Sequence, residues 1–308
     1  MRAGALECRF SPRSPALNMI LPLIKSLRPA QWAKNSFVLA PLVFARRLSD
    51  PLAVQHGLLA LVAFCLASSA VYLGNDLRDR EEDRKHPLKK DRPLASGALG
   101  APAAVVALVA LLIAAAALGF RLGPKFSWIL GGYLLLNVLY TGWFKRMVIL
   151  DVMSIALGFV LRVEAGARAV PVVVSSWLLL CTIFVALFLA FSKRRHEITL
   201  LQENASEQRK VLEQYSPAFL DQMINVVTAS TVVSYALYAV SPETVEKYHS
   251  EHLVYTVPLV LFGIFRYLYL MYQLADRRSP TDAILRDPPF LINIALWSLA
   301  VLWVVYGG

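Results

Sequence analysis

Residues 51–86 read PLAVQHGLLALVAFCLASSAVYLGNDLRDREEDRKH. The first two-thirds, Pro51 to Gly74, is almost uncharged and long enough to cross a bilayer, which takes roughly 20 apolar residues. The remainder, Gly74 to His86, is dense in charges of both signs. With the helix of the apolar run continued through it, Asn75, Asp79 and Asp83 fall at i, i+4 and i+8. They then share one face, with Asp76 alongside. Carboxylates stacked this way repel one another, and a cation relieves the repulsion. Hard oxygen ligands suit Mg²⁺, which commonly bridges one or two carboxylates and the phosphates of a substrate. A solvated, charge-rich helix end explains the same string; its position at the mouth of an apolar helix favours the cation.

The rest of the chain resembles the start of this stretch more than its end. Of 308 residues, 57% are hydrophobic and the mean hydropathy is +0.54. Nine long apolar runs occur, at about 36–48, 51–74, 101–120, 126–144, 147–167, 171–191, 217–240, 252–274 and 289–306. Backbone polar groups in hydrocarbon must be satisfied within their own segment, so runs this uniform are helices and not barrel strands. An all-α integral membrane protein of about nine spans is expected, with residues 1–20 as a flexible tail and 21–308 as a single transmembrane domain. Threading nine spans from an inside N-terminus puts 23 of the 31 Lys and Arg residues on the cytoplasmic side, as the positive-inside bias requires. The acidic stretch then faces the cytoplasm. The net charge of +10 is accounted for by topology and anionic lipid, and no nucleic-acid motif accompanies it. Cys8, Cys65 and Cys181 have neither disulfide nor zinc spacing.

Other candidate residues lie at the predicted cytoplasmic ends. In residues 22–35, Trp32 suits the headgroup level, and Lys25, Arg28, Gln31, Lys34 and Asn35 face water or the site. After the acidic stretch come Arg84, Lys85, Lys89, Lys90 and Arg92, which either anchor the loop to the membrane surface or bring cations to phosphates. Tyr140, Lys145 and Arg146 end one span, and Asp151 opens the next. Arg162 and Glu164, two residues apart inside that span, are poor mutual partners and suit structural pairing. Lys193 and Glu197 form an i, i+4 pair, which leaves Arg194 free to reach a phosphate. Arg266 lies mid-span, and the following loop carries Asp282, Arg286 and Asp287. No P-loop, Rossmann glycine pattern or G-x-S-x-G elbow occurs at a usable position. The residues point to metal-assisted handling of a phosphorylated substrate beside lipid. A transporter is the rival from another class, but its site would sit near the midplane at broken helices of inverted repeats, and no internal repeat is visible.

Asn75, Asp76, Asp79 and Asp83 at the cytoplasmic end of the second of nine helices resemble the first aspartate-rich motif of the UbiA superfamily of membrane prenyltransferases. The resemblance covers nearly the whole chain from about Leu27. A second D-x-x-x-D, found in many members, is missing here, since Asp151 is followed four residues later by Ile155. The stretches LRPAQWAKN (27–35), YLGNDLRDREEDRKHPLKKDRPLASG (72–97), LRVEAGARAVPVVVSSW (161–177), KRRHE (193–197) and SPTDAILRD (279–287) look most like the polyprenyl-phosphate phosphoribosyltransferase branch.

That resemblance implies a UbiA-like bundle with cytoplasmic active-site loops in the bacterial inner membrane. It implies transfer from 5-phosphoribosyl-1-diphosphate to polyprenyl (decaprenyl) phosphate, toward a lipid-linked pentose donor for cell-envelope glycans. The alternative is prenyl transfer from a prenyl diphosphate to an aromatic or other acceptor. Under the first reaction, Asn75, Asp79 and Asp83 would hold Mg²⁺ with Asp76 in support. Asp76, Asp79, Lys145 and Arg194 are the expected catalytic groups. Lys34, Asn35, Arg84, Lys89, Arg92, Tyr140, Asp151 and Lys193, together with Lys145 and Arg194, are expected around the phosphates and the sugar.

Overall fold

In the computed structural model the described residues are 15–86, 89–203, 214–273 and 286–307. Residues 1–14 of the expected tail, Cys8, most of the 201–216 connector and Asp282 lie outside them. The described residues form helices and no strands. In order these are α1 (Pro15–Leu27), a 3₁₀ segment (Pro29–Leu39), α2 (Ala40–Phe44), α3 (Pro51–Arg78) and α4 (Arg80–Lys85). There follow α5 (Ala101–Leu122), α6 (Pro124–Gly142), a 3₁₀ turn (Phe144–Arg146), α7 (Leu150–Ala169) and α8 (Ser176–Glu203). The chain continues through α9 (Pro217–Val240), α10 (Pro242–Tyr248), a 3₁₀ turn (His252–Thr256), α11 (Val257–Gln273) and α12 (Pro288–Tyr306).

Six of these elements, at 51–78, 101–122, 176–199, 217–240, 252–273 and 288–306, are long and apolar enough to cross a membrane. The protein is therefore a multi-pass membrane protein. Six of the nine expected runs are accounted for in this way. Two others form helices at the expected places, α6 and α7, of lower apolarity: α6 has Lys125 and Asn137, and α7 has Asp151, Arg162, Glu164 and Arg168. The run expected over 36–48 is not one α-helix but the end of the 3₁₀ segment plus the five-residue α2. Helix α1 begins at Pro15, inside the stretch expected to be a tail.

The contacts divide the chain into two compact units. The first takes residues up to 33 and 65–115; the second takes 34–64 and 116 onward. In the first unit, Leu73 of α3, Ala104 of α5 and Leu94 and Leu99 of the intervening loop form the buried core, flanked by Leu23 and Leu77. Arg28 joins α1 to the 3₁₀ segment with φ of 54°, a conformation that non-glycine residues rarely take. In the second unit α8 packs on α9 and α7, α6 on α7, and α11 on α12. The largest core there is aromatic and aliphatic, from Val152 and Phe159 through Phe188 and Phe191 to Leu220, Ile224 and Tyr267.

Local sequence accounts for where the helices start. Pro sits at the first helical positions of α9, α10 and α12, where its missing N–H costs nothing. The preceding Ser216, Ser241 and Asp287 accept the free backbone N–H groups of Phe219, Thr244 and Phe290, as capping residues do. Asp287 also receives both Nε (3.0 Å) and Nη2 (2.7 Å) of Arg266. This resolves the mid-span arginine, and its hydrogen bonds hold the Asp287 carboxyl below the usual carboxylate range.

The 3₁₀ segment is pinned to α7 by two contacts. Arg162 donates from Nε to the Asn35 side-chain oxygen at 2.9 Å. Gly166 lies so close that an added Cβ would overlap the Val38 carbonyl group. Asn35 has no exposed surface, so it faces neither water nor an open site as expected; its amide serves a buried guanidinium. Gly166→Ala must therefore push the segment away, at a cost of about 1–3 kcal/mol from overpacking. Thermal unfolding in detergent is expected to show a clearly lowered midpoint. Gly132→Ala, where a Cβ meets nothing within 4 Å, is expected to leave the midpoint unchanged or raise it.

Candidate active site

In the first unit the acidic stretch is almost one helix. Helix α3 ends at Arg78 and α4 starts at Arg80, with Asp79 between them at φ −90° and ψ 8°. The hydrogen bonds Asp79 N to Asn75 O (2.9 Å) and Asp83 N to Asp79 O (2.8 Å) carry the helical register across the break. The expected i, i+4, i+8 row thus keeps its spacing. Burial singles out a different pair: Asp76 and Asp83 are each 3% exposed, while Asn75 and Asp79 are half-buried.

Two arginines meet that pair. One nitrogen of Arg92, Nη1, lies 3.1 Å from Asp76 Oδ1 and 2.6 Å from Asp83 Oδ2. Arg28 Nη2 donates to the same Asp76 oxygen, and the Arg28 guanidinium sits 5.0 Å above the Tyr72 ring. Lys89 Nζ is 4.0 Å from Asp83. Arg84 faces away, bound to Glu81 and to the Ala95 carbonyl. A cavity of about 240 Å³ opens here, lined by Lys25, Ser26, Arg28, Asp76, Asp91, Arg92 and Pro93.

Mg²⁺ fits this donor set. Two carboxylate oxygens from different residues converge on a single guanidinium nitrogen, so positive charge is already favoured at that point. The donors are the hard oxygens that Mg²⁺ takes. Among the described residues no three His, Cys, Asp or Glu side chains come together to enclose a metal. The rest of the shell would come from waters and substrate phosphates, the usual arrangement for this ion.

The second unit has its own charged cluster around Asp151, which has no exposed surface. Arg194, 2% exposed, donates from Nε to Asp151 Oδ2 (2.7 Å), from Nη1 to Glu197 Oε2 (2.6 Å) and from Nη2 to the Tyr140 hydroxyl (3.2 Å). The other oxygen of Asp151 accepts from the Tyr215 hydroxyl at 2.7 Å. Tyr215 in turn accepts the backbone N–H of Ile149, also at 2.7 Å. Burial, and then the bond donated to Asp151, push the Tyr215 phenol well above its ordinary range. The expected freedom of Arg194 to reach a phosphate is corrected here. Lys193 does approach Glu197 at 3.9 Å, but Glu197 is shared, and taking Arg194 away would leave the buried Asp151 carboxylate without its cation, which is costly.

Lys145 lies half-buried on the 3₁₀ turn between α6 and α7, and Lys34 is half-buried on the 3₁₀ segment. Arg162 is 6% exposed and is held by Asn35, the Gly158 carbonyl and the Tyr133 hydroxyl. It stacks on Tyr133 and Phe159, and Glu164 pairs with Arg168. Each thus has partners of its own and neither pairs with the other, as their two-residue spacing implied.

Lys25 and Arg28, expected to face water or the site, line this pocket, whereas nothing in the sequence marks Asp91 or the part played by Tyr215. Arg28 and Asp76 are 48 residues apart, Asp151 and Tyr215 are 64 apart, and no spacing rule links them.

The UbiA prenyltransferase family profile matches residues 36–299. The decaprenyl-phosphate phosphoribosyltransferase of Corynebacterium glutamicum is 33% identical over 305 residues, covering 96% of this chain and 90% of the relative. Its Mycolicibacterium smegmatis counterpart is 34% identical over 240 residues, 74% of this chain and 73% of the relative. A UbiA homologue from Archaeoglobus fulgidus bound to GPP and Mg²⁺ shares the fold, with a TM-score of 0.70 at 21% identity, over 92% of this chain and 99% of that one. With a family match over most of its length and curated relatives above 30% identity, the chain belongs to the UbiA prenyltransferase family.

Proposed function

We propose that this protein transfers the phosphoribosyl group of 5-phosphoribosyl-1-diphosphate to a polyprenyl phosphate, releasing pyrophosphate, with Mg²⁺ as cofactor. The relatives named for decaprenyl-phosphate phosphoribosyl transfer support the reaction class. The observation that carries it is the character of the pocket at Asp76. Its lining is three cations, two carboxylates, a serine and Pro93. A prenyl diphosphate donor brings an isoprenoid chain that needs apolar walls. A small, highly anionic sugar phosphate needs cations and hydrogen-bond partners, which this lining offers.

In the reaction a phosphate oxygen of the lipid attacks C1 of the ribose. The bond from C1 to the diphosphate oxygen breaks, and the pair of electrons leaves with pyrophosphate. Mg²⁺, when bound, supplies positive charge against the charge gathering on the departing diphosphate. Asp76 and Asp83 would hold it, with Asn75 and Asp79 beside them. Arg28, Arg92 and Lys25 would bind the donor's phosphates, with Arg presenting a fork matched to phosphate oxygens. Lys145 and Lys34 are further candidates for phosphate. The lipid phosphate is already an anion, so no strong base is required, and positioning supplies much of the rate. The lysine and arginine distribution supports a cytoplasmic active site in the inner membrane, where a soluble donor arrives.

Three measurements test this. Membranes carrying the protein are expected to move label from the ribose of the donor into organic-extractable lipid, and labelling from a prenyl diphosphate instead would overturn the reaction. Asp76→Asn and Asp83→Asn are expected to lower turnover by about a hundredfold or more, the scale for losing a group that stabilises transition-state charge. Full activity in both would sink the metal assignment. Chelation with EDTA is expected to abolish transfer and Mg²⁺ to restore it, so activity that survives chelation argues against the cofactor.

A further inference from the structure

The connection from α6 to α7 is held at both ends by one buried cluster. At its start, Tyr140 of α6 accepts from Arg194. At its end, Asp151 in the first turn of α7 takes Arg194 on one oxygen and Tyr215 on the other. Between them Ile149 has φ of 68°, a left-handed backbone conformation. For a β-branched residue this is a genuine outlier, and such strain persists only where surrounding structure over-determines it. The Leu150 N–H closes this turn on the Val148 carbonyl at 2.8 Å, and from outside the turn the Tyr215 hydroxyl accepts the Ile149 N–H. Tyr215 comes from the segment leading into α9, 66 residues further along the chain. The strained connection carries Lys145 on its 3₁₀ turn.

We infer that Tyr215 is a positioning residue: by clamping the Ile149 backbone against Asp151, it fixes the α6–α7 connection and with it the direction of Lys145. This rests on Lys145 serving the transfer reaction. The phenol is suited to the task because it does two things at once. Its proton goes to Asp151 and its lone pair receives the Ile149 N–H. A phenylalanine keeps the ring, stacked on Phe219 at 6.1 Å, but can do neither. A merely structural tyrosine would support the bundle without any particular link to Lys145.

The experiment is a double-mutant cycle in the full-length protein in detergent–lipid micelles, using Tyr215→Phe and Lys145→Ala and measuring kcat and KM for the donor. Tyr215→Phe is expected to lower kcat/KM about tenfold, the scale of losing a hydrogen bond to a charged group. In the Lys145→Ala background the same change is expected to cost less than about twofold, because groups acting through one another are not additive. Ile149→Gly frees the same backbone, since glycine takes positive φ without strain. It gives a second cycle with the same expectation should the phenylalanine protein be lost on purification. Independent, multiplying effects in either cycle would overturn the inference while leaving Lys145 in its role. Wild-type activity in Lys145→Ala would overturn both. Transfer of a prenyl group instead of phosphoribose would overturn the proposed reaction alone, because the coupling is then read in that reaction.

Discussion

A carboxylate with no exposed surface, Asp151, sits at the first turn of α7, and much of the second unit's architecture follows from satisfying it. An ion in such a place survives only if it is paired and fully hydrogen-bonded. Arg194 of α8 and Tyr215 before α9 supply those bonds, and Arg194 needs Glu197 and Tyr140 to complete its own. Removing one partner from such a pair costs about 3–5 kcal/mol, because the other is left uncompensated. Four chain segments are thereby committed to one geometry, and the backbone strain at Ile149 is part of that commitment.

The first unit meets the same constraint with a different outcome. Asp76 and Asp83 are as buried as an interior residue, but their arginines are about a third exposed and border an open pocket. Charges at the edge of water can exchange partners at lower cost than charges in the interior. Arg28 and Arg92 are therefore suited to bind incoming phosphate in a way that Arg194 is not. The contrast in exposure is what favours the first group of charges for ligand handling under the proposed reaction.

Arg162 shows a third solution, in which a guanidinium is held by neutral partners. Asn35, a carbonyl, a tyrosine hydroxyl and two aromatic faces surround it. Together with the close approach at Gly166, it ties the 3₁₀ segment to α7. An 11-residue 3₁₀ segment is long for a helix type with poor hydrogen-bond geometry, and side-chain anchors of this kind compensate for that weakness.

The sequence by itself determined the class of the protein. Long apolar runs demand helices in lipid, and charges at their ends mark where water begins. It also determined the spacing of Asn75, Asp79 and Asp83, because helical register is local and α3 carries it through the break at Asp79. Prolines and capping residues placed the starts of α9, α10 and α12 for the same reason. What only the tertiary structure decided is which charges are paired. Arg194 looked free beside a Lys–Glu pair, yet it is buried, and Asn35 looked like a site residue, yet it serves Arg162. Arg28 reaches Asp76 and Tyr215 reaches Asp151 across dozens of residues. A side chain's charge is written in the sequence, but its dielectric surroundings and its partners come from segments remote in the chain, and those decide whether it binds a ligand or holds the fold.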